Sequence, residues 1–198
     1  MLTDPLTLLT LALAAAWACG LNAYAAVFIL GFMSTRGVVD LPAQLALLEH
    51  PVLLAAVATL YFVECFADKV PGVMSGWDAI HTFIRIPIGA LLSAAAVGDL
   101  GWATQAAAGL VGAGIAAASH AAKASARVVI NTPPRLTLSW GVSASEDALA
   151  FLGPWLALTH PLGFAVLFTA WLLLLIRYWP ALKYGGRTAF GWLARTDR

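Results

Sequence analysis

Between Pro5 and Thr35 the chain carries no charged residue, a stretch longer than the roughly 20 residues needed to cross the hydrocarbon core of a bilayer. Later apolar runs are shorter. The one that starts at Pro51 meets Glu64 after about 13 residues, or about 20 Å of helix, so a crossing of about 30 Å must include Glu64 and approach Asp68. Asp78, His81 and Arg85 precede the charge-free run Ile86 to Gly98, and Glu146 and Asp147 precede the run Ala148 to Thr159. If these segments span a membrane, ionisable groups lie inside it. Such groups are costly at that depth and mark functional sites by default.

Composition agrees with a membrane chain. Of 198 residues, 61% are hydrophobic and 11% charged, against roughly 25% charged in a soluble domain. No polar stretch is long enough to form a separate soluble domain. The bilayer is the expected partner, and a net charge of +1 offers no field for nucleic acid. Asp4 precedes the first apolar run and no positive residue does, which argues for a spanning helix over a secretion signal. Cys19 and Cys65 lack CxxC spacing and read as buried thiols.

The expected fold is all-α, a polytopic bundle of about six spanning helices near 6–33, 51–68, 76–98, 102–129, 139–159 and 161–178. Residues 1–179 form the transmembrane domain, and 180–198, with Lys183, Arg187, Trp192 and Arg195, form a basic and aromatic interfacial tail. Gly109, Gly112 and Gly114 give the 102–129 helix a small-residue face suited to close packing, within the chain or in an oligomer. Pro71 before Trp77 is echoed by Pro133 and Pro134 before Trp140, as in a 3+3 inverted repeat about Gly98. Six crossings put both termini on one side. Lys69, Lys123, Arg127, Arg135, Arg177, Lys183, Arg187, Arg195 and Arg198 share that side and only Arg36 lies opposite, so the positive-inside rule makes both termini cytoplasmic.

With that topology, four helices deliver ionisable groups to one layer. Asp78, His81 and Arg85 fall at i, i+3 and i+7, and His120, Lys123 and Arg127 repeat the spacing, so each trio forms one helical stripe. Glu64 and Asp68 form a third. Lys69 follows in the turn, while Glu146 and Asp147 lie in the fifth helix. Six unpaired charges at about 2.5 to 3.5 kcal/mol each would cost roughly 15 to 20 kcal/mol, more than a typical stability of about 5 to 15 kcal/mol. Pairing or a polar cavity is therefore required. His81 and His120 have the chemistry to couple protons. Asn22 places an amide mid-membrane, either as a packing contact or as the mark of a weakened helix lining a cavity.

The segments GLNAYAAVFILG at Gly20 to Gly31, ECFADKVPG at Glu64 to Gly72, WDAIHTFIRIPIGALL at Trp77 to Leu92, SHAAKASARVVINTPP at Ser119 to Pro134 and SEDALAF at Ser145 to Phe151 carry a family pattern. Together they resemble the bacterial integral-membrane family labelled domain of unknown function 4126 (DUF4126) over nearly the whole chain. After Asn131 and Thr132 that family tends to Ser-Pro-Glu. Here Pro133, Pro134 and Arg135 follow, so the acidic residue of that pattern is replaced by a basic one. The resemblance implies a membrane bundle in a bacterial inner membrane and no particular activity.

Three functions fit these residues. The first is a transporter or channel-like permease for an ion or small polar solute, with Asn22, Glu64, Asp68, Lys69, Asp78, His81, Arg85, His120, Lys123, Arg127, Asn131, Glu146 and Asp147 as binding or gating candidates. The second is an intramembrane enzyme on a lipid or phosphate ester, with Lys69, Arg85 and Arg127 clamping an anion. No HExxH or GxSxG motif supports it, no catalytic residue is assigned, and no cofactor is expected. A metal ligand set is not evident. The third is an assembly subunit whose ion pairs are structural.

Overall fold

The computed structural model describes residues 4–67, 73–130 and 136–193, and every regular element among them is helical. In chain order these are α1 (Pro5–Thr35), a 3-10 helix at Ala43–Glu49, α2 (Pro51–Ala67), α3 (Val73–Ala96), a 3-10 turn at Gly98–Leu100, α4 (Trp102–Ile130), α5 (Leu136–Thr159) and α6 (Pro161–Leu193). Proline opens α1, α2 and α6, a position where its missing N–H costs nothing. At the start of α1, Asp4 Oδ2 also accepts the Thr7 backbone N–H at 3.3 Å. α6 continues past Pro180 to Leu193, through the segment expected to be a tail. A helix can tolerate the lost hydrogen bond of an interior proline, as α3 does at Pro87 and α5 at Pro154.

α1 is apolar on all sides and occupies the centre, packed against all five other α-helices. Cross-contacts give the directions of its neighbours. Ser93 Oγ donates to the Ala12 carbonyl at 2.7 Å and Arg85 Nη1 to the Gly20 carbonyl at 3.5 Å, so α3 runs antiparallel to the first half of α1. Ser119 and Lys123 reach the carbonyls of Trp17 and Leu21, so α4 runs parallel to it. Thr10 meets Ala157 while Asn22 meets Asp147, so α5 is antiparallel.

α1 is not one straight rod. Asn22 has φ −155° and ψ 104°, extended backbone in mid-helix. Contacts beyond it show where the chain goes. A Cβ at Gly31 would collide with Leu48, and one at Gly98 with the Gln44 side chain, whose Nε2 also donates to Asp99. Gly98 lies at or beyond the level of Ala12, about 28 Å from Gly31 along a straight helix. The four-residue 3-10 step from Gln44 to Leu48 covers only about 8 Å. The second half of α1 therefore turns off the line of the first and leads back, through Leu48 and Gln44, to the end of α3. The cause is local: Asn22 Oδ1 accepts the Ala25 backbone N–H at 3.0 Å, which makes it the N-cap of a new helix.

The helix expected near 6–33 is α1, and of the two expectations for Asn22 the weakened helix is the one found, with a half-helix on either side of it. The start of α1 also lies at the bundle end shared by Ala96, Trp102 and Thr159, where α6 begins, so α6 leaves from the end where α1 starts. The equal-sided termini derived from six crossings lose their basis. By length and composition, Pro5–Thr35 and Pro161–Pro180 are apolar enough to span, with a third candidate if the Ala43–Glu49 and Pro51–Ala67 pair, bent by 67°, counts as one. In α3 the stretch Ile80–Ala96 is apolar but shorter than a span.

The bundle buries a cluster of charges within an apolar core and turns large apolar side chains outward. Arg85 and Glu64 are 0% exposed, whereas Phe83, two residues from Arg85, is 83% exposed. Large apolar side chains such as Leu110, Val166 and Ile176 also face outward. An apolar exterior of this extent suits lipid.

Glycine permits the tightest crossing. A Cβ at Gly20 would overlap the Ser119 hydroxyl and the Ala116 carbonyl, whereas one at Gly114 meets nothing within 4 Å. The small-residue face of α4 is used inside the chain, with Gly112 against Ser93 and Gly109 against Ala90 and Ala94. Gly20→Ala must push α4 off α1, at a cost of about 1–3 kcal/mol or more, while Gly114→Ala should be near neutral. Thermal unfolding of the two variants in detergent checks the contrast, and equal stabilities would refute the packing described.

Candidate functional site

A helix break inside a buried bundle strands backbone groups, and buried carbonyls must find donors. Two cations supply them. Lys123 Nζ donates to the Leu21 carbonyl at 2.7 Å, and Arg85 Nη1 reaches the Gly20 carbonyl at 3.5 Å. Cations at the C-terminal end of the first half-helix also suit its dipole. On the other side of the break, Asn22 Nδ2 donates to Asp147 Oδ1 at 3.0 Å. The orientation of the Asn22 amide is fixed, because the Ala25 N–H can bond only to its oxygen.

Around the break the charges alternate in sign. Arg85 pairs with Glu64 through Nη2 and Oε1. Lys123 Nζ lies 3.9 Å from Glu64 Oε1 and 3.6 Å from Glu146 Oε2, and Arg127 Nη2 lies 2.7 Å from Glu146 Oε2. The sequence Arg85, Glu64, Lys123, Glu146, Arg127 thus crosses four helices as plus, minus, plus, minus, plus. Each of these residues is at most 7% exposed.

Two histidines flank this chain of charges. Arg85 Nη1 lies 2.8 Å from His120 Nδ1. A guanidinium only donates, so Nδ1 accepts and the ring proton sits on Nε2, where it donates to Thr82 Oγ1 at 2.7 Å. In this arrangement His120 is neutral, and protonating it would break its bond to Arg85. His81 Nε2 lies 3.1 Å from the Tyr24 hydroxyl, with the rings edge to face at 5.6 Å.

Of the residues singled out from the sequence, Asn22, Glu64, His81, Arg85, His120, Lys123, Arg127, Glu146 and Asp147 are all buried and gather around the α1 break. Asp68, Lys69 and Asn131 lie outside the described residues, as do Pro133, Pro134 and Arg135. Asp78 is within α3, with its side chain outside the described part. Cys19 is buried and Cys65 half-buried, and both are free thiols. Among the described residues no group of three or more His, Cys, Asp or Glu could hold a metal ion.

Sequence reasoning missed three kinds of participant. Thr82, three residues before Arg85 and so on its face of α3, was findable by spacing. Ser119, adjacent to His120, was not distinguished from other small residues of α4. The carbonyls of Gly20 and Leu21 leave no side-chain signal at all.

The pairing predicts a coupling. Glu64→Ala and Arg85→Ala each leave a buried charge without its partner and should cost about 3–5 kcal/mol. The double variant should cost clearly less than the sum, as a double-mutant cycle of detergent unfolding measures. Additive losses would contradict the direct pair.

A model of the family described as "Domain of unknown function (DUF4126)" matches residues 9–181. No curated protein and no solved structure matches the chain.

Proposed function

The chain belongs to that DUF4126 family, whose description assigns no activity, and we propose from the geometry that it is a small membrane permease for an ion or polar solute, with the α1 break as its moving part. The observation that carries this reading is the break itself. An unbroken helix would satisfy the Gly20 and Leu21 carbonyls internally and need neither Lys123 nor Arg85. Breaking it requires buried cations, which then require buried anions, and buried ion pairs stabilise less than apolar packing would. Discontinuous helices whose ends meet charges deep in a bundle are the usual construction of transporter sites. Bond for bond, Arg85, Lys123, Asn22 and Asp147 can exchange partners with a solute that offers the same donors or acceptors.

On this reading the positive-inside rule turns the end bearing Lys123 and Arg127 to the cytoplasm of a bacterial inner membrane. The start of α1 then faces the other side. The lipid- or phosphate-ester enzyme is less well supported, because Arg85 and Arg127, the cations meant to hold its anion, are engaged by Glu64 and Glu146. A purely structural network is the reading favoured by the direct alternation of charge.

Liposome flux separates them. Purified protein should raise uptake of some ion or small metabolite above protein-free vesicles. Asn22→Ala, which removes the cap and the bond to Asp147, should reduce that flux at least about tenfold while leaving the protein folded. Asn22→Asp should do worse, since it sets one carboxylate against another. Flux unchanged in both variants would leave the structural reading.

A further inference from the structure

The Lys123 ammonium lies among oxygens that would suit a free cation. The Leu21 carbonyl is at 2.7 Å, Glu146 Oε2 at 3.6 Å and Glu64 Oε1 at 3.9 Å. The lysine side chain is 0% exposed, so nothing of this contact is shared with bulk water. We propose that these oxygens form a binding site for one monovalent cation, and that Lys123 is the tethered cation holding it in the present conformation. This deepens the permease reading and rests on it for its role in transport.

A second observation comes from the α5 face that carries Glu146. Ser143 is 2% exposed, and its hydroxyl has no hydrogen-bond partner among the described residues. It precedes Glu146 by three residues and Asp147 by four, which puts it on their face of α5. A buried hydroxyl without a partner is costly. It is a neutral oxygen about one helical turn from Glu146 and Asp147. Hard oxygen donors of this kind select alkali ions or small ammonium ions over soft metals.

Charge balance sets the valence. Around the break, Arg85, Lys123 and Arg127 match Glu64, Glu146 and Asp147 among the described residues, three charges of each sign. A divalent ion in place of the ammonium would leave these groups with one positive charge in excess. A monovalent ion replaces the ammonium one for one. Entry therefore requires Lys123 to withdraw from Leu21, and the same withdrawal strands the carbonyl at the α1 break. The cation is then the ligand that holds the break in its alternative state.

The test uses the full chain with Lys123→Met, and with Lys123→Gln, which keeps a donor for the Leu21 carbonyl but no charge. Thermal unfolding in detergent is followed in N-methyl-D-glucamine chloride and, at equal ionic strength, in sodium, potassium or methylammonium chloride. The proposal expects a saturable rise of about 5 °C or more in at least one small cation, a much smaller response in the parent, and loss of the rise when Glu146→Gln is added. The alkali and methylammonium arms tell a metal ion from an organic ammonium. Equal unfolding in all salts overturns the site. So does failure of both variants to fold in every salt, because a bound cation should replace the ammonium. A cation-specific rise in protein that shows no liposome flux keeps the site and removes the permease reading.

Discussion

The interruption of α1 at Asn22 is the constraint on which the rest of the interior depends. Backbone groups inside an apolar bundle have no water to turn to, so each group released by the break must be met by a side chain. The amide of Asn22 meets the new helix start at Ala25, and Lys123 and Arg85 meet the old helix end at Leu21 and Gly20. The need for those cations brings in Glu64 and Glu146. Each charge is thus present because of another, and the first cause is a backbone torsion.

Close packing makes this arrangement reachable. Lys123 can bond to a backbone carbonyl of α1 only because α4 lies against α1 where Gly20 has no side chain. Gly153 plays a similar part for α5, since a Cβ there would stand 2.9 Å from the Trp17 ring. α5 can then lie close enough for Asp147 to take the Asn22 amide. Small residues set the helix spacing, and the spacing sets which polar atoms meet. The outer surface plays no part in this network and is apolar.

Much of this was legible along the chain. The ion-pair requirement followed from the energetic cost of Glu64, Arg85, Lys123 and Glu146 in apolar segments, and the i, i+3, i+7 spacing placed His120, Lys123 and Arg127 on one stripe. The spacing also brought His81 and Arg85 to one face. What could not be read was the course of α1. In the charge-free run from Pro5 to Thr35 the amide of Asn22 allows either a packing contact or a weakened helix, and glycine at position 20 is equally consistent with close packing. The crossing count, and with it the placement of the termini, took each of the six apolar segments as one crossing.

The amino-acid sequence by itself determined an all-helical, membrane-suited chain, the identity of its buried charges and their need for partners, because burial cost and helical periodicity are local properties. Only the tertiary structure decided that α1 breaks, that its second half leads back to the end of α3, and which acid faces which base. Those outcomes depend on how closely helices approach and on backbone carbonyls left without donors. Small residues permit the first without specifying it, and no residue type encodes the second.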